Sequence, residues 1–232
     1  MALVLCSIPA SGRDAEDPVV QFSTIDALAA GHYEGTWRLS EARRFGDFGI
    51  GTLDGLDGET ILLDGKMFQA KADGTVLSVP KKALIPFATV THFDPAAPVR
   101  LDGAAGIEQL AALLDEALPK GDCFCAIRID AAWDAVTVRS CPKQCAPYRP
   151  LAEVTKEQSV FDLRNVSGTL VGFRYPKYIQ GLNMPGYHFH FISDDRKTGG
   201  HVLNCQFKEA TVQVDTTREF RLFLLPNPSA KK

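Results

Sequence analysis

The sequence predicts an α+β fold built mostly of antiparallel or mixed β-sheets, in two β-layers or subdomains with few short helices. Two observations support this prediction. Short apolar runs of strand type are separated by Asp-Gly pairs, which favour tight hairpin turns. Sustained helical spacing of apolar residues is found in one segment alone, residues 106–118.

The N-terminal residues 1–20 are predicted to form a disordered leader. They begin with an apolar stretch but lack the basic start of a secretory signal, so a degenerate export signal is the alternative. A short helix is predicted from Ser23 or Thr24 to Ala30, because Ser and Thr commonly begin helices. A second one is predicted from Ser40, because the residues at 41–44, "EARR", favour a helix.

Residues 21–120 are predicted to form an N-terminal β-rich subdomain. Its turns are expected at Asp57-Gly58, Asp64-Gly65 and Asp73-Gly74, and its helix at 106–118 ends before Pro119. Residues 121–232 are predicted to form a second β-rich subdomain. The expected strands there are "CFCAIRID", "AVTVRS", "SVFDLR", "GTLVGFRYP", "GYHFHFI", "HVLNCQF", "ATVQVD" and "FRLFLL".

Charge and hydropathy exclude two classes of partner. The 232 residues carry a formal net charge of −3 without a basic stripe, so we expect no nucleic-acid partner. No apolar run approaches the ~20 residues that span a bilayer, so we expect no membrane partner. A cytoplasmic location is expected, with export as the alternative if the leader is a signal.

Six cysteines are present, and four of them lie around a predicted hairpin as Cys123-x-Cys125 and Cys141-x-x-x-Cys145. Zinc binding or disulfides are possible readings of this spacing. Neither pair has the usual C-x-x-C form, and a chain of this length can form a stable core without disulfides or a structural metal. Free, mostly buried thiols in a reducing compartment are therefore predicted.

Three of the five histidines lie between positions 188 and 201. His188 and His190 are two residues apart and share one face of a predicted strand. The polar turn "SDDRKTGG" then leads to a strand that opens with His201, so a hairpin brings His201 beside His190. Three imidazoles with open coordination positions predict a catalytic zinc site, although other divalent metals also fit.

The spacing of the histidines does not choose a reaction. Cupin-type dioxygenases and hydrolases also use His-x-His pairs, and a histidine-rich solvated face is the alternative without a metal. His32 and His92 lack a histidine neighbour and are interpreted as structural.

Three stretches make the sequence resemble the α-acetolactate decarboxylase family. They are "FGDFGIGTLDGLDGETILLDG" (45–65), "FCAIRIDAAWDAVTVRSCPKQCAPYRPL" (124–151) and "GTLVGFRYPKYIQGLNMPGYHFHFISDDRKTGGHVL" (168–203). The resemblance runs from about residue 22 to residue 226. It implies that His188, His190 and His201 bind zinc.

The resemblance also implies roles for three residues outside the histidine cluster. Glu59 in "LDGE" matches an acidic residue at the metal site, Arg139 in "TVR" matches the active-site arginine, and Thr52 matches a threonine of the substrate pocket. Without the resemblance, strand periodicity favours a solvated sheet face for Arg139, and an exposed position is the default for Glu59.

The activity implied by the resemblance is the decarboxylation of 2-acetolactate to acetoin. The metal is the electron sink for the enediolate that forms when carbon dioxide leaves, so no organic cofactor is needed. No G-x-G-x-x-G opening a helix and no phosphate loop is present. The substrate is a small molecule, and a homodimer is expected by analogy with the family and from exposed sheet edges.

One position of the family pattern has no match. Family members carry a second active-site glutamate in a C-terminal tail, whereas no glutamate follows Glu219 in this sequence. Genuine but slower turnover, sustained by Glu59 and the metal, is therefore expected. The alternatives are a catalytically silent metal- or small-molecule-binding protein of the same fold, and another metal-dependent keto-acid decarboxylase or a cupin-like oxygenase.

Overall fold

The computed structural model describes residues 17–225, and their architecture confirms the predicted α+β class with few short helices. The strands are β1 (Val19–Phe22), β2 (Trp37–Arg38), β3 (Phe48–Thr52), β4 (Glu59–Leu63), β5 (Lys66–Ala70), β6 (Val76–Ser78), β7 (Leu84–Ile85), β8 (Phe87–Thr91), β9 (Val99–Ala104), β10 (Phe124–Ser140), β11 (Ser159–Tyr175), β12 (Gly186–Ser193), β13 (Gly199–Thr217) and β14 (Phe220–Phe223). The helices are α1 (Ile25–Ala29), α2 (Leu39–Ala42), α3 (Ile107–Ala117) and α4 (Leu151–Val154), with 3-10 turns at Thr155–Glu157 and Lys177–Ile179.

Two large sheets contain most of these strands. The first has seven strands in the order β14-β1-β8-β3-β4-β5-β6, and all its pairings are antiparallel except β1 with β14. The second has the order β10-β11-β12-β13-β9, and β13 also pairs with β10. Strands β10 to β13 therefore close into a ring. The short strands β2 and β7 pair separately.

Sheet membership does not follow the predicted division at residue 120. Strand β9 and helix α3 precede that position but join the second sheet and its core, while β14 near the C-terminal end pairs with β1 in the first sheet. Local patterns predict strands but not their distant partners, which accounts for the difference. Of the predicted leader, Val19 and Val20 belong to β1, and residues 1–16 lie outside the described part.

Three pairs of predicted strands are in fact single long strands. "CFCAIRID" and "AVTVRS" are both parts of β10, so the hairpin predicted between the cysteine pairs is wrong. The register of β10 against β13 shifts near Ala131 and Trp133, which indicates β-bulges where the sequence suggested a turn. Strand β11 likewise continues through Asn165, which has a φ of 49°.

The local predictions of helices and tight turns are confirmed. Thr24 begins α1, and its side-chain oxygen accepts a hydrogen bond from the Ala27 amide at 3.1 Å. Helix α3 begins after Gly106 and ends before Pro119. Asp64 and Gly65 connect β4 to β5 with φ angles of 50° and 70°, the pair of left-handed conformations that a type I′ turn requires.

The two large sheets face each other across an apolar core. Its buried residues from the first sheet are Val19, Phe48, Ile50, Ile61, Leu63 and Ala70, and those from the ring are Phe124, Ala126, Val171, Phe173, Tyr175 and Ile192. The opposite side of the ring packs against α3 in a second core, and the opposite side of the seven-stranded sheet has a third. Among the described residues, no helix is long and apolar enough to cross a membrane.

Trp133 is buried in the core that also contains α3. Its ring is 1% exposed, its Nε1 donates to the Gly168 carbonyl at 2.9 Å, and it packs edge-on against Phe191 and Phe207. Trp133→Phe removes the hydrogen bond and leaves a small cavity, so we expect the free energy of unfolding to fall by roughly 1–3 kcal/mol. Chemical denaturation measures this loss. The control is Trp37→Phe at a partly exposed site. An equal loss of unfolding free energy in both variants would contradict the stabilising role of Trp133 in the core.

Candidate metal centre

The histidines on β12 follow from strand alternation. His188, His190 and Ile192 lie on the face that is turned toward the seven-stranded sheet, and Ile192 belongs to the core between the sheets. Phe189 and Phe191 point to the other side and pack in the core with α3. The apolar neighbours thus anchor the strand while its two imidazoles face β4.

The predicted hairpin brings the third histidine to the other two. His201 on β13 lies directly opposite His190 on β12. Its Nδ1 is 3.1 Å from Nε2 of His188, and one ring nitrogen from each of the three histidines falls within 4.8 Å of the others. The predicted convergence of the three imidazoles is confirmed.

The tautomer of His190 is set by the backbone of β4. Nδ1 lies 2.9 Å from the carbonyl oxygen of Thr60, which can only accept, so Nδ1 carries the hydrogen. Nε2 therefore has a lone pair, and it has no hydrogen-bond partner among the described residues although the side chain is 1% exposed. An unpartnered acceptor that is oriented by a backbone carbonyl is typical of a metal ligand.

Burial favours the neutral form of all three imidazoles. Burial lowers the pKa of His190 to about 3, since a charged ring would be desolvated there and the Arg139 guanidinium adds to the effect. Burial also lowers the pKa values of His188 and His201 well below the usual range, and neighbouring rings and Arg139 act in the same direction. Neutral imidazole is the form that binds a metal.

Glu59 and Arg139 meet beside the histidines. Nη1 of Arg139 donates to Oε1 of Glu59 at 2.9 Å, and Oε2 of Glu59 is 3.5 Å from Nε2 of His190. Because His190 is neutral, this second contact is not an ion pair. Arg139 is positioned by the sheet register, since it lies directly opposite His201 on the neighbouring strand.

The Arg139–Glu59 pair is largely removed from water, with the two side chains 17% and 12% exposed. Burial raises the pKa of Glu59, and the charge of Arg139 opposes that rise. A carboxyl in this environment can hold a proton more readily than a surface glutamate does. The periodicity-based expectation of a solvated Arg139 and an exposed Glu59 is therefore wrong, because β4 packs over this part of the ring.

Thr52 lies at the edge of the same arrangement. It is opposite Glu59 in the β3–β4 register, and its hydroxyl donates to the Gly58 carbonyl at 2.7 Å. The hydroxyl hydrogen is thus used to fix the turn that leads into Glu59. The role of Thr52 in the substrate pocket, which the family resemblance implies, stays a prediction.

One neighbour of the site was not predicted from the sequence. The buried thiol of Cys141 lies 3.7 Å from Nη1 of Arg139, and burial together with the Glu59 carboxylate raises the pKa of this thiol to about 11. Its position two residues after Arg139 was the available signal, because residues i and i+2 of a strand share a face. Cys141 is one of the buried free thiols that the sequence predicts.

The donor set fits a divalent metal such as zinc. Nitrogens bound to one tetrahedral zinc with bonds of ~2.0–2.1 Å lie about 3.3 Å apart, close to the 3.1 Å between His188 and His201. The unpartnered Nε2 of His190 would supply the third bond. Three protein ligands leave coordination positions open, which is the pattern of catalytic sites.

The fold and the site together define a class of protein: a β-rich chain with a three-histidine site that adjoins a buried glutamate–arginine pair. The sequence profile described as alpha-acetolactate decarboxylase matches residues 19–230. The chain belongs to the alpha-acetolactate decarboxylase family, and the resemblance found in the sequence is confirmed.

Similar proteins cover most of the chain. The alpha-acetolactate decarboxylase of Methanosarcina mazei is 44% identical over 223 residues, which are 96% of this chain and 76% of that protein. The alpha-acetolactate decarboxylase of Methylococcus capsulatus is 46% identical over 204 residues, 88% of this chain and 78% of that protein. The crystal structure of alpha-acetolactate decarboxylase from Bacillus subtilis strain 168 superimposes with a TM-score of 0.88 at 37% identity, covering 91% of this chain and 90% of that one.

Proposed function

We propose that this chain is a zinc-dependent acetolactate decarboxylase that converts 2-acetolactate to acetoin and carbon dioxide. The observation that carries the proposal is the meeting of three neutral imidazoles with a buried Arg139–Glu59 pair. The family membership and the names of the relatives support the substrate. The donor set supports zinc.

The histidines, Arg139 and Glu59 have separate roles in the proposed reaction. His188, His190 and His201 would hold the ion, whose Lewis acidity stabilises the negative charge that develops on the substrate oxygens. Arg139 presents a guanidinium that can hold the carboxylate of the substrate until carbon dioxide departs. Glu59, with its pKa raised by burial, supplies a proton to the carbon from which carbon dioxide has left.

The low exposure of these groups supports the same reaction. Oriented donors act most strongly on developing charge where water is excluded. The Glu59 and Arg139 side chains are mostly buried, and His190 is almost completely so. Substrate binding between them would place a carboxylate near the guanidinium and the new carbanion near the acid.

The test is turnover by protein whose zinc content has been measured. Acetolactate is supplied to the zinc-loaded chain, and carbon dioxide and acetoin are quantified against a chelator-treated sample. One metal per chain together with metal-dependent acetoin production supports the proposal. Metal binding without turnover would indicate a silent binding protein, and turnover of another keto acid alone would indicate a different decarboxylase.

Arg139→Lys separates the geometry of the guanidinium from its charge. Lysine keeps the positive charge but cannot form two parallel hydrogen bonds to a carboxylate, so we expect kcat/KM to fall by about 10- to 100-fold while zinc stays bound. Steady-state kinetics and metal analysis measure the two quantities. The matched control is Arg149→Lys, at an arginine that pairs with Glu157 on the surface. Unchanged kcat/KM in Arg139→Lys would remove this residue from the mechanism.

We also propose a homodimer in the cytoplasm. The edge strand β6 pairs only with β5 in its sheet and exposes half of Leu77, which favours association through that edge. The five cysteines in the described part of the chain are free thiols, which favours a reducing compartment. Light scattering tests the homodimer, and a monomer at micromolar concentration would refute it. Cell fractionation tests the cytoplasmic location.

A further inference from the structure

A pair of thiols lies where the chain enters β10. The sulfurs of Cys123 and Cys125 are 3.9 Å apart, within hydrogen-bond distance for two thiols. Both belong to the core that includes α3, on the side of the ring opposite to the face that carries His188 and His190. The pair is therefore separate from the candidate metal centre, and the proposed decarboxylation does not use it.

The two thiols differ in access to solvent. Cys123 is 8% exposed and lines a surface cavity of ≈ 70 Å³, whereas Cys125 is 0% exposed. The remaining residues of the cavity wall are Pro119, Lys120, Gly121, Asp122, Thr216, Thr217 and Arg218. A small reagent that enters the cavity therefore meets Cys123 before Cys125, which is fully buried.

Arg174 holds the arrangement together. It lies directly opposite Cys125 in the β10–β11 register, with Nη1 3.9 Å from the Cys125 sulfur. The same guanidinium donates to the carbonyl oxygens of Pro119 and Gly121, each at 3.4 Å, in the loop that leads to Cys123. One side chain thus contacts both the Cys125 sulfur and this loop, and it places a positive charge beside the two thiols.

The surroundings favour a thiolate at Cys123. Donation of a hydrogen bond by the Cys125 thiol lowers the pKa of Cys123, and the charges of Arg174 and Arg218 add to this effect while burial opposes it. The same hydrogen bond and burial raise the pKa of Cys125. A reactive sulfur at the cavity and a protonated one behind it are the two parts of a peroxide-sensitive thiol pair.

We propose that Cys123 and Cys125 form a dithiol modification site that hydroperoxides oxidise to an intramolecular disulfide. The Cys123 thiolate attacks the peroxide, breaks its O–O bond and becomes a sulfenic acid, while the released alkoxide or hydroxide takes a proton from water. The Cys125 sulfur then displaces the hydroxyl group as water and forms the S–S bond. In total, two thiols and one hydroperoxide give one disulfide, one water and one alcohol, or two waters with hydrogen peroxide.

The bond requires the sulfurs to approach from 3.9 Å to ~2.05 Å. Cys125 is fixed within β10 by pairing on both sides. Cys123 precedes the strand and lies two residues after Gly121. Gly121 has a φ of 119°, a backbone conformation that residues with a side chain seldom adopt. The loop therefore supplies the movement, and the strand stays in place.

The test uses the full chain with Cys6→Ser and Cys145→Ser, so that the exposed thiol in the described part and the N-terminal one do not react. After treatment with hydrogen peroxide, the free thiol count should fall by two. The tryptic peptide 121–128, which lies between Lys120 and Arg128 and holds both cysteines, should lose two hydrogens in mass. A reductant should restore it.

Matched variants assign the two roles. In Cys125→Ala no disulfide forms, and a sulfenic acid at Cys123 should be captured by dimedone. In Cys123→Ser neither product should appear, because Cys125 is buried. Arg174→Gln should slow the oxidation several-fold at pH 7, whereas Cys205→Ser, in the same core, should not change it.

Three results would overturn the proposal. They are an unmodified 121–128 peptide after excess peroxide, dimedone capture at Cys125 instead of Cys123, and an oxidation rate of the pair no faster than that of the buried Cys205. None of these measurements depends on turnover of acetolactate, so the proposal stands or fails independently of the proposed decarboxylase activity.

Discussion

His190→Ala is expected to remove most of the bound zinc and to abolish acetoin production while the fold survives. In the proposed site His190 is the ligand whose lone pair is oriented by the Thr60 carbonyl, so its loss would leave two histidines that make a much weaker site. Metal analysis after dialysis, kinetics with acetolactate and far-UV circular dichroism measure the three quantities.

The matched control for this prediction is His32→Ala, since His32 is exposed and lies outside the three-histidine cluster. It should retain metal and activity. If the buried site does not tolerate alanine, His201→Ala provides a second test, because His201 is only half-buried. Retention of a full equivalent of zinc in either ligand variant would contradict the metal assignment.

The histidine cluster could be predicted because it depends on local rules alone. Strand alternation fixes the shared face of His188 and His190, and a hairpin with a short polar turn brings His201 opposite His190. The turn "SDDRKTGG" provides the whole connection. No distant partner is needed for the three imidazoles to converge.

The Glu59–Arg139 pair could not be predicted from the residues in the same way. The two residues are 80 positions apart, and they meet only because β4 of the seven-stranded sheet packs over the ring of β10 to β13. Strand periodicity says which face a residue occupies but not what covers that face. The resemblance to the family, and not the pattern, assigned both residues to the active site.

The lengths of the ring strands were missed for a related reason. At Trp133 and Asn165 the alternation of apolar and polar residues is interrupted. Such an interruption is expected both at a turn between two strands and at a bulge within one strand. The choice between them depends on pairing with β13 and β11, which are distant in sequence. The bulged β10 carries Arg139 to its position opposite His201.

Glu59→Gln is expected to lower kcat by roughly 10²–10⁴, the usual cost of losing one general acid–base group. Glutamine has nearly the same shape and can still accept a hydrogen bond from Arg139, so the fold and the metal site should persist. Each 1.36 kcal/mol of lost transition-state stabilisation corresponds to a factor of about ten, so the loss amounts to about 3–5 kcal/mol. The matched control is Glu157→Gln, at a glutamate that pairs with Arg149 on the surface.

The effect of Glu59→Gln should greatly exceed that of deleting residues 227–232. Residues 227–232 contain no Asp or Glu, so this deletion removes no carboxylate side chain. In the described part of the chain, Glu59 is the carboxyl group that contacts His190 and Arg139, and proton transfer to the product should depend on it. We expect kcat of the shortened chain to stay within a few-fold of the full chain. An unchanged kcat in Glu59→Gln would refute the role of this carboxylate. A shortened chain as slow as Glu59→Gln would show that the C-terminal residues matter as much for turnover as Glu59 does.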